Sequence, residues 1–167
     1  TPAAAIKRAP AAAIAPTAGE DLALARIRAT TIGDLLLTTA DRQPDDLALV
    51  LPERTLTYGQ LAEAALRRAR GLQALGVKPR DKVGVLMHTC AEFMETLFAI
   101  SFCGAVIVPI NARYKASELG YVIENGDLVT IVTTDAVADS VNFVERLGVA
   151  LKDLARNRNP FKLKVAA

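Results

Sequence analysis

The chain has 167 residues, the size of one domain, and its 51% hydrophobic and 23% charged residues are typical of a globular fold. Its 20 basic and 18 acidic residues leave a net charge of +2, too small for a nucleic-acid-binding surface, so no nucleic-acid partner is expected. Cys90 and Cys103 have no spacing typical of a zinc site or a disulfide framework, which predicts no metal site and favours a cytoplasmic location.

Residues 1–29 are rich in alanine and proline and show no sustained amphipathic period, so we expect a mobile leader. Lys7, Arg8 and several prolines interrupt its apolar residues, and a signal peptide is therefore not expected. The most apolar stretch, residues 96–110, is shorter than the roughly 20 residues that span a bilayer. It also contains a glycine and a proline, so we expect no transmembrane segment.

An α/β lobe is expected at residues 30–155, and its first helix should begin after Thr31. Thr31 and Asp34 have the spacing of a capping box, in which each side chain accepts a hydrogen bond from the other residue's backbone N–H. Two short runs, residues 47–51 and 54–58, then flank a turn that contains proline. They predict a small antiparallel hairpin.

A second helix is predicted to begin at Thr57 and Gln60, which also have capping-box spacing. The apolar residues of the segment 61–72 fall on one helical face, so this helix should pack on a sheet. Gly76 supplies the left-handed position at which many helices end. The apolar run 83–87 that follows predicts a buried strand.

Thr89 and Glu92 have capping-box spacing as well and predict a third helix that extends through Cys103. Large apolar side chains, among them Phe98, surround almost the whole of this helix. We therefore expect it to be largely buried, with Phe98 filling core space. The run 105–110 of mostly β-branched residues predicts the next strand.

The lobe continues with a helix at 116–124, a strand at 128–133 and a final helical region at 135–155 that breaks near Gly148. Residues 156–167 carry no clear pattern, and no structure is predicted for them. Strands and helices thus alternate, which implies right-handed crossovers. We predict an α/β fold: an open, mostly parallel sheet with helices on both faces, plus a small amino-terminal hairpin.

Four residues follow predicted strands, where loops border the ligand crevice of open parallel sheets. They are His88, Asn111, Arg113 and Tyr114. His88 can equally be an incidental loop residue, Asn111 can bond its own turn, and Arg113 can belong to a surface salt bridge. The sequence contains no GxxxxGK[ST], GxGxxG or GxSxG pattern, so we predict no catalytic residue.

Two segments resemble core motifs of adenylate-forming enzymes. Residues 56–61, LTYGQL, are similar to the first core motif, and residues 104–111, GAVIVPIN, are similar to the second, at the separation typical of that family. Segments 81–85 and 111–123 also match acyl-CoA synthetases in order and spacing. Residues 31–147 therefore resemble the amino-terminal portion of an adenylate-forming, AMP-binding acyl-CoA synthetase, or fatty-acid–CoA ligase.

The resemblance implies a ligase that uses ATP, Mg²⁺ and CoA. A carboxylic acid, expected to be a fatty acid, attacks the α-phosphate of ATP, pyrophosphate leaves, and the CoA thiol then displaces AMP. The family's phosphate-binding loop, ribose-binding aspartate and catalytic lysine would follow residue 167, so we expect an inactive fragment whose partner is the remainder of the parent chain. The resemblance also implies that Asn111, Arg113 and Tyr114 lie near the path of CoA, where Arg113 would meet a phosphate.

Two alternatives stay open. In one, the chain is a naturally short, non-catalytic binding or dimerisation module of the same fold. In the other, it is part of an acyl-AMP ligase or adenylation domain that serves a carrier protein, because the segments that separate these enzymes from CoA ligases are not in the sequence. A homodimer is compatible with each interpretation.

Overall fold

The structure, a computed structural model, describes residues 31–135, 142–156 and 164–166. Within these ranges a parallel sheet of four strands carries helices on both faces, and a two-stranded antiparallel hairpin precedes it in the chain. The predicted α/β fold, parallel sheet and amino-terminal hairpin are therefore confirmed. The leader predicted at residues 1–29 lies outside the described residues.

The first helix, α1 (Ile32–Arg42), begins at the predicted capping box. The backbone N–H of Asp34 donates to Thr31 Oγ1 at 3.1 Å, and that of Thr31 donates to Asp34 Oδ2 at 3.3 Å. Strands β1 (Leu47–Val50) and β2 (Thr55–Thr57) then pair antiparallel and form the hairpin. Short-range sequence signals thus determine both elements.

Helix α2 (Tyr58–Ala74) also begins at its predicted capping box. The backbone N–H of Gln60 donates to Thr57 Oγ1 at 3.3 Å, and that of Thr57 donates to Gln60 Oε1 at 3.0 Å. Gly76 follows the helix with a φ of 86°, a left-handed conformation that glycine adopts without strain. This turn directs the chain into the buried strand β3 (Lys82–Leu86).

Helix α3 (Ala91–Phe102) begins differently from the prediction. Its N-cap is Cys90, whose side chain makes no capping hydrogen bond within the described residues, so the predicted Thr89–Glu92 capping box is wrong. Glu92 instead approaches Arg54 of the hairpin, with Nη1 and Oε1 3.5 Å apart. The carboxylate thus takes part in a tertiary ion pair and accepts from its own backbone N–H instead of that of Thr89.

Every residue of α3 is buried or half-buried, as its apolar surface predicted. The most buried positions are nevertheless small, polar or aliphatic rather than aromatic: Ala91, Glu95, Thr96, Ala99 and Ile100. Phe98 is only half-buried and packs at the margin of the cluster that joins α1, β2 and α2. The residue of α3 that fills core space is therefore Ile100, which is fully buried.

The second half of the lobe adds five elements: β4 (Val106–Pro109), α4 (Ala116–Asn125), β5 (Leu128–Thr133), α5 (Phe143–Arg156) and β6 (Lys164–Ala166). The first three agree with the prediction. Helix α5 continues through Gly148, so the predicted break is wrong; part of that predicted region, residues 136–141, lies outside the described residues. The sequence pattern gave no indication of β6.

Within the described ranges the strand order is β4-β3-β5-β6, and all neighbouring strands are parallel. Val83 and Val85 of β3 face a core formed with α2 and α3. Leu86 and Ile131 face the opposite core, formed with α4 and α5. Because the strands are parallel, the loops after β3 and β4 leave the sheet at the same end, where open α/β sheets bind their ligands.

Both thiols lie within this packing. Desolvation by burial raises the pKa of Cys90, and burial likewise raises the pKa of Cys103, whose thiol donates to Ala69 O at 3.5 Å. The thiolate is the reactive form, so both cysteines should react slowly. At pH 8 we expect iodoacetamide to alkylate each at a rate about tenfold below that of the chain unfolded in urea. Alkylation of either at the unfolded rate would show that it is not buried.

Candidate functional site

The loop that leaves β4 at the carboxyl end of the sheet begins with a turn made by Asn111. The backbone N–H of Arg113 donates to Asn111 Oδ1 at 2.9 Å, and that of Tyr114 donates to Asn111 O at 3.0 Å. The Asn111 side chain is thus used inside the turn, as one of its two sequence interpretations proposed. Its role in the candidate site is to shape the loop.

Arg113 is an exposed cation of this loop. Its guanidinium forms no hydrogen bond or ion pair with any residue in the part of the chain that the structure describes. The surface salt bridge considered for it is therefore absent from that part of the molecule. An exposed guanidinium can bind phosphate oxygens through two parallel N–H donors without giving up an existing contact.

Tyr114 is half-buried and packs against the apolar cluster shared by β5, α4 and α5. It also lines an open groove of about 410 Å³, together with Ser117, Glu118, Tyr121 and Val122 of α4. Much of the Tyr114 side chain is therefore used in packing. It anchors the loop to the core beside the exposed Arg113.

His88 follows β3 and so leaves the same end of the sheet. Its ring stacks on Phe143 of α5, with the ring centroids 6.4 Å apart and the planes 17° from parallel. Its Nδ1 is buried and has no hydrogen-bond partner among the described residues. His88 is thus a packing contact between the β3 loop and α5, a role that the sequence analysis did not assign to it.

Arg146 of α5, which the sequence analysis did not single out, contacts the loop directly. Its Nη1 donates to Ala112 O at 3.1 Å and to Tyr114 O at 2.9 Å. The two carbonyl groups stand on either side of Arg113. No sequence signal identifies this contact, because the pattern around Arg146 is that of an amphipathic helix, in which a polar residue is expected to face solvent.

A second group that sequence reasoning missed is the Glu95 cluster, formed by Glu95, Glu92, Arg54 and Arg68. Glu95 Oε1 accepts from Arg54 Nη1 at 2.9 Å, and Oε2 accepts from Arg68 Nε at 2.7 Å. The Glu95 side chain is 4% exposed, and the two arginine side chains are about 40% exposed. This cluster ties the hairpin and α2 to α3, and so has a structural role.

Glu92 lies at the exposed side of the Glu95 cluster. A hydrogen bond from its own backbone N–H lowers the pKa of Glu92, and the Cys90 thiol and the charges of Arg54 and Arg68 lower it further against an opposing effect of burial. A lowered carboxyl pKa stabilises the folded state above the ordinary glutamate pKa. This stabilisation is lost as the pH falls through the lowered, folded-state value.

Within residues 31–135, 142–156 and 164–166, no group of three or more His, Cys, Asp or Glu side chains could hold a metal ion. The same ranges contain no helix with the length and apolarity needed to cross a membrane. The Arg113 guanidinium is exposed, has no partner among the described residues, and has the chemistry to bind a phosphate group.

The sequence matches the family described as AMP-binding enzyme over residues 36–163. A medium/long-chain-fatty-acid–CoA/3-oxocholest-4-en-26-oate–CoA ligase of Mycolicibacterium smegmatis is 40% identical over 113 residues, which cover 68% of this chain and 20% of the ligase. Phosphinothricin tripeptide synthetase PhsC of Streptomyces viridochromogenes is 36% identical over 108 residues, covering 65% of this chain and 10% of the synthetase. The chain thus spans a fifth or less of the length of these relatives.

The fold agrees with that of a benzoate CoA ligase from Burkholderia xenovorans LB400, with a TM-score of 0.69 over 81% of this chain and 25% of the ligase. At 18% sequence identity this likeness is one of fold alone. The family match itself extends from within α1 almost to β6, and it includes the loop with Asn111, Arg113 and Tyr114. The chain belongs to the AMP-binding enzyme family.

Proposed function

We propose that the chain is the amino-terminal part of a longer, ATP-dependent acid–CoA ligase that acts on a fatty acid. Membership of the family and the 40% identity to a ligase named for medium- and long-chain fatty acids support this proposal. The observation that carries it is the exposed Arg113, which has no partner within the described residues, in the loop at the carboxyl end of β4.

The proposed reaction joins a carboxylic acid to the thiol of CoA and converts ATP to AMP and pyrophosphate. ATP with Mg²⁺ supplies the activation of the acid when it is bound. Arg113 binds a phosphate of CoA, the Asn111 turn shapes the loop, and Tyr114 anchors it. The sheet provides a rigid base for these residues, and the reacting groups come from the remainder of the protein.

A cytoplasmic location is part of the same proposal. Cys90 and Cys103 are free thiols and both are buried. Proteins of reducing compartments keep their thiols unpaired, whereas secreted domains of small size commonly use disulfides. The chemistry of a ligase that consumes ATP and CoA suits such a compartment.

An adenylation domain that serves a carrier protein is the second candidate. The 36% identity to phosphinothricin tripeptide synthetase PhsC favours it. The two candidates differ in the thiol that accepts the acyl group, which is that of free CoA in a ligase and that of a carrier protein in a synthetase. Acid-dependent exchange of pyrophosphate into ATP without any formation of a CoA thioester would favour the second candidate.

We expect the substitution Arg113→Ala in the complete protein to raise the KM for CoA about tenfold, because one charge-assisted phosphate contact is lost. The rate of acid-dependent pyrophosphate exchange should not change, because that half-reaction does not need CoA. The difference in KM between the two proteins should shrink as ionic strength rises. Steady-state thioester formation and pyrophosphate exchange measure the two effects.

The matched control is Arg70→Ala, which removes an exposed arginine from α2, on the opposite face of the sheet. We expect this variant to keep the KM for CoA of the unsubstituted protein. An Arg113→Ala protein with an unchanged KM for CoA would contradict the proposed role of the loop. An equal rise of this KM in both variants would show that the effect comes from net charge rather than from a contact of Arg113.

A further inference from the structure

We propose that Arg146 is a positioning residue for CoA, acting through Arg113. It is half-buried on α5 and donates from one nitrogen, Nη1, to two carbonyl oxygens of the loop, Ala112 O at 3.1 Å and Tyr114 O at 2.9 Å. A guanidinium nitrogen of this kind carries two hydrogens, so each carbonyl can receive one. The inference rests on the proposed function for the identity of the ligand.

The two contacts restrain the backbone on both sides of Arg113. A hydrogen bond to a carbonyl oxygen restrains the whole peptide group, because the atoms of a planar peptide move together. Arg146 restrains the peptide group before Arg113 and the one after Tyr114. The soft torsions between these two groups are those of Arg113 and Tyr114.

The remaining hydrogen bonds of the loop do not replace this restraint, and Tyr114 adds only apolar packing. The Asn111 turn holds the N–H groups of Arg113 and Tyr114, and the N–H of Lys115 donates to Glu118 Oε2 at 2.8 Å at the start of α4. These are contacts within the loop and its own helix. Arg146 links the loop to a separate element, α5, whose buried face is packed on the sheet. Arg146 therefore holds the loop against an element of the packed core.

The guanidinium of Arg146 also contributes a positive charge near the loop, so position and charge must be separated. The substitution Arg146→Ala removes both. Arg146→Lys keeps the charge and a nitrogen with several hydrogens, but on a flexible side chain of different shape, which does not hold that nitrogen at the position of Nη1. Arg156→Ala is the matched control, because it removes an arginine from the same helix. Arg156 pairs with Asp153 at 3.7 Å, so its ion pair stays within α5 and does not involve the loop.

The first measurement is amide hydrogen exchange in the complete protein, which reports the loop without any ligand. The N–H groups of Arg113 and Tyr114 are hydrogen-bonded in the turn, and exchange requires that the turn opens. In Arg146→Ala we expect both amides to exchange on the order of tenfold faster, with a smaller change in Arg146→Lys and none in Arg156→Ala. Unchanged exchange in Arg146→Ala would overturn the inference.

The second measurement is a double-mutant cycle on the KM for CoA. If Arg146 acts through Arg113, Arg146→Ala raises this KM in the unsubstituted protein but not in the Arg113→Ala protein, so the effects are not additive. Equal effects of Arg146→Ala in both backgrounds would overturn the inference, since Arg146 would then act independently of Arg113.

The two measurements also separate this inference from the proposed function. Faster exchange in Arg146→Ala, together with an Arg113→Ala protein of unchanged KM for CoA, would support Arg146 as the residue that positions the loop and reject CoA as the ligand of Arg113. Faster exchange together with a non-additive cycle supports both. If both the charge and the position of the Arg146 side chain contribute, the KM for CoA of Arg146→Lys should lie between that of the unsubstituted protein and that of Arg146→Ala.

Discussion

Replacing Glu95 with alanine is expected to lower the free energy of unfolding of the chain by about 2–4 kcal/mol. The carboxylate is almost fully buried and accepts short hydrogen bonds from Arg54 and Arg68 at 2.9 and 2.7 Å. Its removal leaves two partly buried guanidinium groups without their shared acceptor. Because both arginines are about 40% exposed, water can solvate part of each charge, which keeps the loss below that of a fully buried pair.

Urea unfolding of the Glu95→Ala and Glu63→Ala chains measures this contribution. Glu63 pairs with Arg67 at 3.0 Å on the exposed face of α2, a contact of the same chemistry that should contribute less than about 0.5 kcal/mol. A similar, small loss in both variants would show that the Glu95 cluster does not hold the hairpin and α2 on α3. A loss in Glu95→Ala alone would confirm that it does.

Replacing Ile100 with alanine is expected to lower the free energy of unfolding by about 2–5 kcal/mol, because a large buried aliphatic side chain leaves a cavity. Ile100 has no exposed surface and packs in the core between α2, α3 and the sheet, beside Val83 and Val85. The surrounding residues belong to α2, α3 and β3, which are held in place by their packing on one another. The cavity can therefore collapse only in part.

Phe98 and Val149 provide the comparison for this prediction. Phe98 lies on the same helix but is half-buried, so Phe98→Ala should cost about 1–3 kcal/mol, less than its size alone predicts. Val149 is 45% exposed on α5, and Val149→Ala should change stability by less than about 0.5 kcal/mol. A loss in Phe98→Ala larger than that in Ile100→Ala, measured by urea unfolding, would contradict the burial described for α3.

Contacts between residues close in sequence were predictable, and they produced much of the fold. The capping boxes at Thr31 and Thr57 join residues three positions apart, so the sequence displays both partners together. The equally spaced Thr89 and Glu92 do not form a box, because the helix begins one residue later than their spacing predicts. Cys90 is the N-cap, which places Thr89 before the cap and Glu92 at the second helical position. The local signal indicated a helix correctly but not its first residue.

Contacts between distant residues were not predictable from one sequence. Glu95 reads as the polar side of a helix until α2 and the hairpin place Arg68 and Arg54 against it. Arg146 reads as an exposed residue until α5 packs beside the β4 loop. Strand β6 is short, and its pairing with β5 is what defines it. In each case the feature depends on a partner that is distant in the sequence, so the local pattern could not predict it.

The same difference applies to the candidate site. The position of Asn111, Arg113 and Tyr114 after a predicted parallel strand was sufficient to place them at the carboxyl end of the sheet. The pattern could not show that Asn111 is used within its own turn, or that Arg113 has no partner among the described residues. Those two findings assign Asn111 to the shape of the loop and leave the Arg113 guanidinium available to bind a ligand.

We propose that this lobe carries the binding loop and scaffold of a ligase whose reacting groups lie in the remainder of the protein. Exchange of labelled pyrophosphate into ATP, with Mg²⁺ and a panel of fatty acids, tests it most directly. Developing charge at the α-phosphate requires preorganised donors and a metal, and the sequence contains no glycine-rich phosphate loop to provide them. We predict acid-dependent exchange by the complete protein and none by the purified 167-residue chain; exchange by that chain alone, or its absence from the complete protein with every acid, would contradict the account.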